Sequence, residues 1–306
     1  MIANFFNQTR PINFLVLSVL VFVIFVISLV HMNSESLSFY FFVKNGSFLT
    51  AAILIVFVLN FIIRKNSLTE DNSYAILFYI LICSFFPQTF SNGGIFVANF
   101  ILLFAFRKIY SLRTSTTTIQ KIFDAAFWIG IASLFYIWSL VFLLLLYAAI
   151  LIFRKADWRN FLIPLLGLIT PVFLSYTYLL YFDDMDRFSR IWIIDYSLDL
   201  SIYNSVKFLI PIISIGLLVI ISIFPTTNKS LIAKIDVKST WFLLTAHFFV
   251  SLFIVLFVPD KDGSELTFLF FPVSILFANY LQLLNRYWIK EAILYLFIMI
   301  SFVVYL

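Results

Sequence analysis

The chain has 306 residues, of which 63% are hydrophobic and only 11% charged, and its formal net charge is +5. A soluble domain of this size cannot hide so much apolar side chain from water, so a soluble fold is excluded. The positive charge does not point to nucleic acid, because its placement along the chain follows the positive-inside bias of membrane proteins.

Charge-free stretches recur at 11–34, 45–63, 72–106, 125–153, 160–182, 208–228, 239–259, 266–285 and 292–306. A hydrocarbon core about 30 Å thick takes roughly 20 apolar residues of helix. In lipid only helices and closed barrels satisfy every backbone N–H and C=O. Barrel strands alternate apolar and polar side chains, and residues 16–30 and 140–153 do not. The expected fold class is all-α: a polytopic helical integral membrane protein forming a single transmembrane domain over 1–306. No polar stretch is long enough to build a soluble domain. The first apolar run lacks a small-residue cleavage site, so it reads as a retained helix and not as a signal peptide. The one cysteine, Cys83, lies inside an apolar run and reads as packing.

Two stretches, 72–106 and 125–153, accommodate either one passage or two. The basic residues decide between them. Two passages in each put Arg10, Arg64, Lys65, Arg107, Lys108, Arg113, Lys121, Arg154, Lys155, Arg159, Lys229, Lys234, Lys238, Arg286 and Lys290 on one side. Only Lys44, Arg187, Arg190, Lys207 and Lys261 then lie opposite, a division of 15 to 5, where the other choices give 13 to 7 or 11 to 9. The richer side is expected to be cytoplasmic. This gives about eleven passages in a bacterial inner membrane, with the N-terminus cytoplasmic and the C-terminus outside.

The double passages are short. The 29 residues of 125–153 reach only about 44 Å as helix, so 124–135 and 138–153 are expected as short or broken helices. The same applies to 74–86 and 95–106, which are separated by Pro87 and by Asn92-Gly93-Gly94. Such segments are tolerated where protein or a water-filled cavity covers them.

The outside loops under this reading hold nine acids against five bases: Glu35, Asp183, Asp184, Asp186, Asp195, Asp199, Asp260, Asp262 and Glu265. Asp183-Asp184-Met185-Asp186 and Asp260-Lys261-Asp262 each contain an Asp-x-Asp. That pattern offers oxygen ligands to Mg²⁺ or Mn²⁺, with Asp184 and Asp186 as the metal pair, and so a grip on a diphosphate. Arg187 and Arg190 are placed to clamp phosphate oxygens. The alternative is an ordinary solvated acidic loop. Residues 187–203 mix charges with Phe188, Ile191, Trp192, Ile193 and Ile194, as interfacial amphipathic segments do. His247 lies in an apolar run and reads either as a functional group or as a neutral imidazole bonded to a neighbouring helix. Asp124 is expected to cap or pair at the inner interface.

Arg107-Lys108-Ile109-Tyr110 is followed by Phe123-Asp124-Ala125-Ala126-Phe127-Trp128-Ile129-Gly130-Ile131-Ala132-Ser133-Leu134. An apolar run leads to Arg154-Lys155-Ala156-Asp157-Trp158-Arg159 and then to Pro164, Gly167 and Pro171. This order resembles the middle of the GT-C superfamily of polyprenyl-phosphate-sugar-dependent glycosyltransferases, over about a quarter of the chain. The resemblance implies a catalytic acid in the first outside loop acting as base, and Glu35 is the acid at that position. That loop, 32–47, is short for the superfamily, and a large soluble acceptor-binding domain is absent. Ser264-Glu265-Leu266 and Phe270-Phe271-Pro272 make the whole chain similar to an uncharacterised bacterial inner-membrane family, which implies no activity.

The function expected from the resemblance is GT-C-like work in cell-envelope glycan or lipid-linked sugar metabolism. Membrane lipids and a polyprenyl-linked sugar would be its partners. The other readings are a non-catalytic subunit or assembly factor bound to other membrane proteins, and a transporter of a lipid-linked substrate.

Overall fold

The computed structural model describes residues 1–32, 39–114, 116–232 and 235–305, and no β-strand occurs among them. In chain order the helices are α1 (Ile2–Phe6), α2 (Pro11–Met32), α3 (Phe39–Asn66), α4 (Tyr74–Phe85), α5 (Gly93–Tyr110), α6 (Thr118–Phe135) and α7 (Phe142–Ile152). They continue as α8 (Trp158–Tyr181), α9 (Met185–Ile191), α10 (Val206–Ile232), α11 (Ile235–Phe257), α12 (Thr267–Leu283) and α13 (Tyr287–Tyr305). Among the described residues, nine helical segments are long and apolar enough to cross a membrane, and two apolar segments, Tyr74–Phe85 and Ile137–Ile152, are shorter. The chain is an all-α polytopic membrane protein. It folds as two compact units, the first from Met1–Asn92, Leu200–Ile232 and Lys261–Leu306, the second from Gly93–Asp199 and Ala233–Asp260.

The first unit is built around α4. All 12 of its residues are buried, and it rises only about 18 Å against a hydrocarbon core of about 30 Å. Protein covers it on every side, which is what makes so short an apolar helix tolerable at membrane depth. Phe78 meets the rings of Phe277 and Phe297 edge-on at 5.3 and 5.4 Å. Where α4 begins, Asn13 Nδ2 donates to Ser73 Oγ at 3.2 Å and Asn279 Nδ2 to the Leu68 carbonyl at 3.0 Å. There too Lys229 Nζ pairs with Glu70 at 3.1 Å. Where α4 ends, Ser28 Oγ donates to the Pro87 carbonyl at 2.8 Å, and Ser84 and Ser301 share a 2.6 Å hydrogen bond. Phe86 stacks on Phe208 and Phe270 there. So α2, α4 and α13 run one way while α10 and α12 run the other. Arg10, Arg64, Lys65, Lys229, Arg286 and Lys290 consequently share one end of this unit, and Lys207 and Lys261 lie at the other.

In the second unit the charge-based reading of 125–153 as two passages has a geometric counterpart. Gly167 of α8 lies against Phe123 and Ala126 of α6, and Pro171 lies against Gly130. The matching order means that α6 and α8 run parallel, so the chain between them must return. It returns through the 3₁₀ turn Ile137–Val141 and the 11-residue α7. Helix α6 differs from expectation at its start, Thr118 in place of Asp124. Its polar first turns are held in the helix from outside: Lys121 Nζ donates to the Ser111 carbonyl at 3.0 Å and Asp124 pairs with Lys108 at 2.6 Å. At 18 residues, α6 is therefore nearly a full passage, and the shortness falls on α7 alone.

Candidate functional site

The end of the first unit opposite Arg10, Arg64, Lys229 and Lys290 is organised by the segment Lys261 to Thr267. Gly263 adopts φ +95°, a left-handed conformation that L-residues with a Cβ avoid. That turn aims successive backbone N–H groups at one point, and the Glu265 carboxylate occupies it. Gly263 N–H reaches both carboxylate oxygens at 3.1 and 3.0 Å, and Asp262 N–H reaches Oε2 at 3.3 Å. The Tyr203 hydroxyl donates to Oε1 from the 3₁₀ turn Ser201–Asn204. Glu265 is 0% exposed, the one buried carboxylate among the described residues. A carboxyl group is tolerated out of water only when its oxygens find hydrogen-bond partners in this way.

A second layer fixes the turn. Asp262 Oδ1 accepts from the Ser264 N–H at 2.8 Å and from its hydroxyl at 2.5 Å, while Asn92 Nδ2 donates to Oδ2 at 3.4 Å. Thr267 Oγ1 donates to the Ser264 carbonyl at 2.5 Å and lies 3.4 Å from Thr89 Oγ1. Gln88 points its Oε1 into the same cluster, 3.7 Å from where a Cβ on Gly263 would sit, as a buried acceptor with no donor. The site thus combines an acid, a phenol, hydroxyls and an unfilled amide carbonyl where α12 begins.

Gly263 is the keystone of this arrangement. A Cβ there would lie 2.5 Å from Phe208 Cε1 in addition to its unfavourable φ. Gly263→Ala is expected to cost about 1–3 kcal/mol, read as a lowered melting temperature in mild detergent. In a Phe208→Ala background, itself destabilised by loss of the Phe86 stacking, the same Gly263→Ala change should cost less, because the contact is gone and only the backbone strain remains.

The residues expected from the sequence lie elsewhere. Glu35 falls outside the described residues. Asp183, Asp184, Asp186, Arg187 and Arg190 are all exposed, in or just before the seven-residue α9 of the second unit. Among the described residues no three His, Cys, Asp or Glu side chains are arranged to hold a metal ion. In the other Asp-x-Asp, Asp260 is exposed while Asp262 serves the Glu265 turn. His247 is 0% exposed, its Nδ1 3.2 Å from the Tyr110 hydroxyl and its ring 4.3 Å from Phe106, on the packed faces of α5 and α11.

Sequence reasoning counted Glu265 as one more outer acid. The available signal was its position, immediately before the charge-free stretch 266–285. An acid there cannot be far from the membrane boundary and needs partners.

Nine described helical segments of membrane length define the class as a polytopic integral membrane protein. Residues 10–306 match the family of unknown function DUF6427, and the chain belongs to that family. No curated protein and no solved structure matches it.

Proposed function

We propose that the protein works in cell-envelope glycan or lipid-linked sugar metabolism of a bacterial inner membrane, with Glu265 as its central acid and Tyr203 as the cover over it. The observation that carries this reading is the burial of one carboxylate at the membrane boundary, since an ionisable group placed there is costly and is retained for use. The unfilled Gln88 carbonyl beside it supports a ligand that brings hydrogen-bond donors, as sugar hydroxyls do. Lifting the short turn Ser201–Asn204 removes the Tyr203 donor and opens one acceptor position on Oε1, which keeps the Gly263 N–H, as a base or as an acceptor for a substrate hydroxyl. The resemblance of residues 107–182 to GT-C enzymes supports the same substrate class. In this reading the Glu265 end faces outside and the N-terminus is cytoplasmic.

Glu265→Gln tests the proposal, because the amide keeps the shape and one acceptor while losing the charge. Cells carrying this variant should show the lipid-linked glycan profile of cells lacking the protein, with the variant still folded and present in the membrane. A wild-type profile from such a variant refutes the assignment and leaves a subunit or assembly factor as the reading.

A further inference from the structure

Helices α10 and α13 of the first unit enclose a groove of about 620 Å³ between Ile210, Ser214 and Leu217 on one side and Tyr295, Met299 and Val303 on the other. Its walls are almost wholly apolar, and it lies inside two membrane-length segments, Val206–Ile232 and Tyr287–Tyr305. Its open side therefore faces hydrocarbon. On α13 the lining runs from Ala292 to Val303, about 16 Å along the helix axis, roughly half of a core about 30 Å thick. Because α10 starts and α13 finishes at the Glu265 end, the groove belongs to the leaflet on that side. Lys207 stands at its upper edge. The spacing Lys207, Ile210, Ser214, Leu217 advances by three, four and three residues, which sets all four on one face of α10, and Lys207 is exposed.

We propose that this groove binds one hydrocarbon chain of an anionic, phosphate-bearing lipid from that leaflet, with the Lys207 ammonium on the phosphate. The occupant follows from the two halves of the site. Only a lipid brings a chain from the hydrocarbon and a negative charge to the boundary above it. A soluble anion would leave the groove unused, and a neutral lipid would leave Lys207 unused. The site deepens the reading above, on which its role as a substrate subsite rests, by giving a lipid-linked substrate a place for its chain beside the Glu265 cluster. The binding itself stands on different residues.

The test is native mass spectrometry of the full-length protein in mild detergent, with phosphatidylglycerol as the probe and phosphatidylcholine as the neutral comparison. The wild type should take up one phosphatidylglycerol saturably and in preference to phosphatidylcholine. Lys207→Gln should weaken that binding about 5-fold, the contribution of one Lys at an anionic surface. Ser214→Trp, which fills the groove, should abolish it, and Leu166→Trp on the exposed face of α8 should not change it. Glycerol phosphate should fail to compete. Unchanged binding in both Lys207→Gln and Ser214→Trp, equal uptake of the two lipids, or competition by glycerol phosphate each overturns the proposal. Glu265→Gln should leave the binding intact, so the groove and the Glu265 cluster fail or stand separately.

Discussion

Gly167→Leu is expected to destabilise the second unit more than any other single change on the contact between α6 and α8. Even a Cβ at this position would lie 2.6 Å from the Phe123 carbonyl oxygen, 2.8 Å from Ala126 Cβ and 3.2 Å from the Phe127 nitrogen. Two of those atoms are backbone, so no rotamer change in α6 relieves the clash. The reciprocal contact at Gly130, whose Cβ would meet Pro171 Cγ at 2.6 Å and the Leu168 carbonyl at 3.2 Å, prevents α8 from sliding away. Helices in lipid gain little from burying apolar surface against each other and depend on such close backbone approach. Overfilling a packed contact costs about 1–3 kcal/mol and occasionally more, and a full leucine here belongs at the upper end. Thermal unfolding in mild detergent should show Gly167→Ala below the wild type and Gly167→Leu well below both. Gly216→Leu is the control, since a Cβ there meets nothing within 4 Å. Equal melting of the Gly167 and Gly216 variants contradicts the packing described for α6 and α8.

Removing the Glu265 side chain should have a comparable effect on the first unit. Glu265→Ala leaves the Gly263 and Asp262 N–H groups and the Tyr203 hydroxyl without their acceptor. A buried donor stripped of its partner costs about 1–3 kcal/mol, so the loss should exceed that of Glu265→Gln, which keeps one carbonyl oxygen in place. A double-mutant cycle isolates the contact itself. Tyr203→Phe and Glu265→Gln should couple by about 0.5–3 kcal/mol, the range for groups in direct contact. Additive effects on stability mean that the phenol does not hold the acid.

Much of the architecture was legible because the membrane imposes simple rules. Helix lengths followed from apolar run lengths, and the break after α4 followed from Pro87 and Asn92-Gly93-Gly94. The sorting of basic residues reached a conclusion that periodicity could not, since it required residues 125–153 to go and return, and the parallel course of α6 and α8 does require that. The start of α6 was hidden because Thr118 to Lys121 reads as a polar loop. What keeps it helical are contacts from Ser111 and Lys108, which no local pattern announces. Glu265 was hidden for the same reason on a larger scale. Its burial depends on Tyr203, 62 residues earlier in the chain, and on a left-handed Gly263 that the sequence shows only as one glycine in an acidic loop. Composition and charge report where a segment lies in the bilayer. They do not report which acid of a loop is turned inward.

The most direct test of the role of Glu265 compares two sets of variants in cells lacking the wild-type protein. One carries Glu265→Gln and the other carries Asp183→Asn, Asp184→Asn and Asp186→Asn together. The first should behave as a deletion in its lipid-linked glycan profile, while the second should match the wild type. A deletion-like profile from the aspartate variant with normal behaviour of Glu265→Gln would place the working acids in the exposed segment around α9 and contradict the central role given to Glu265.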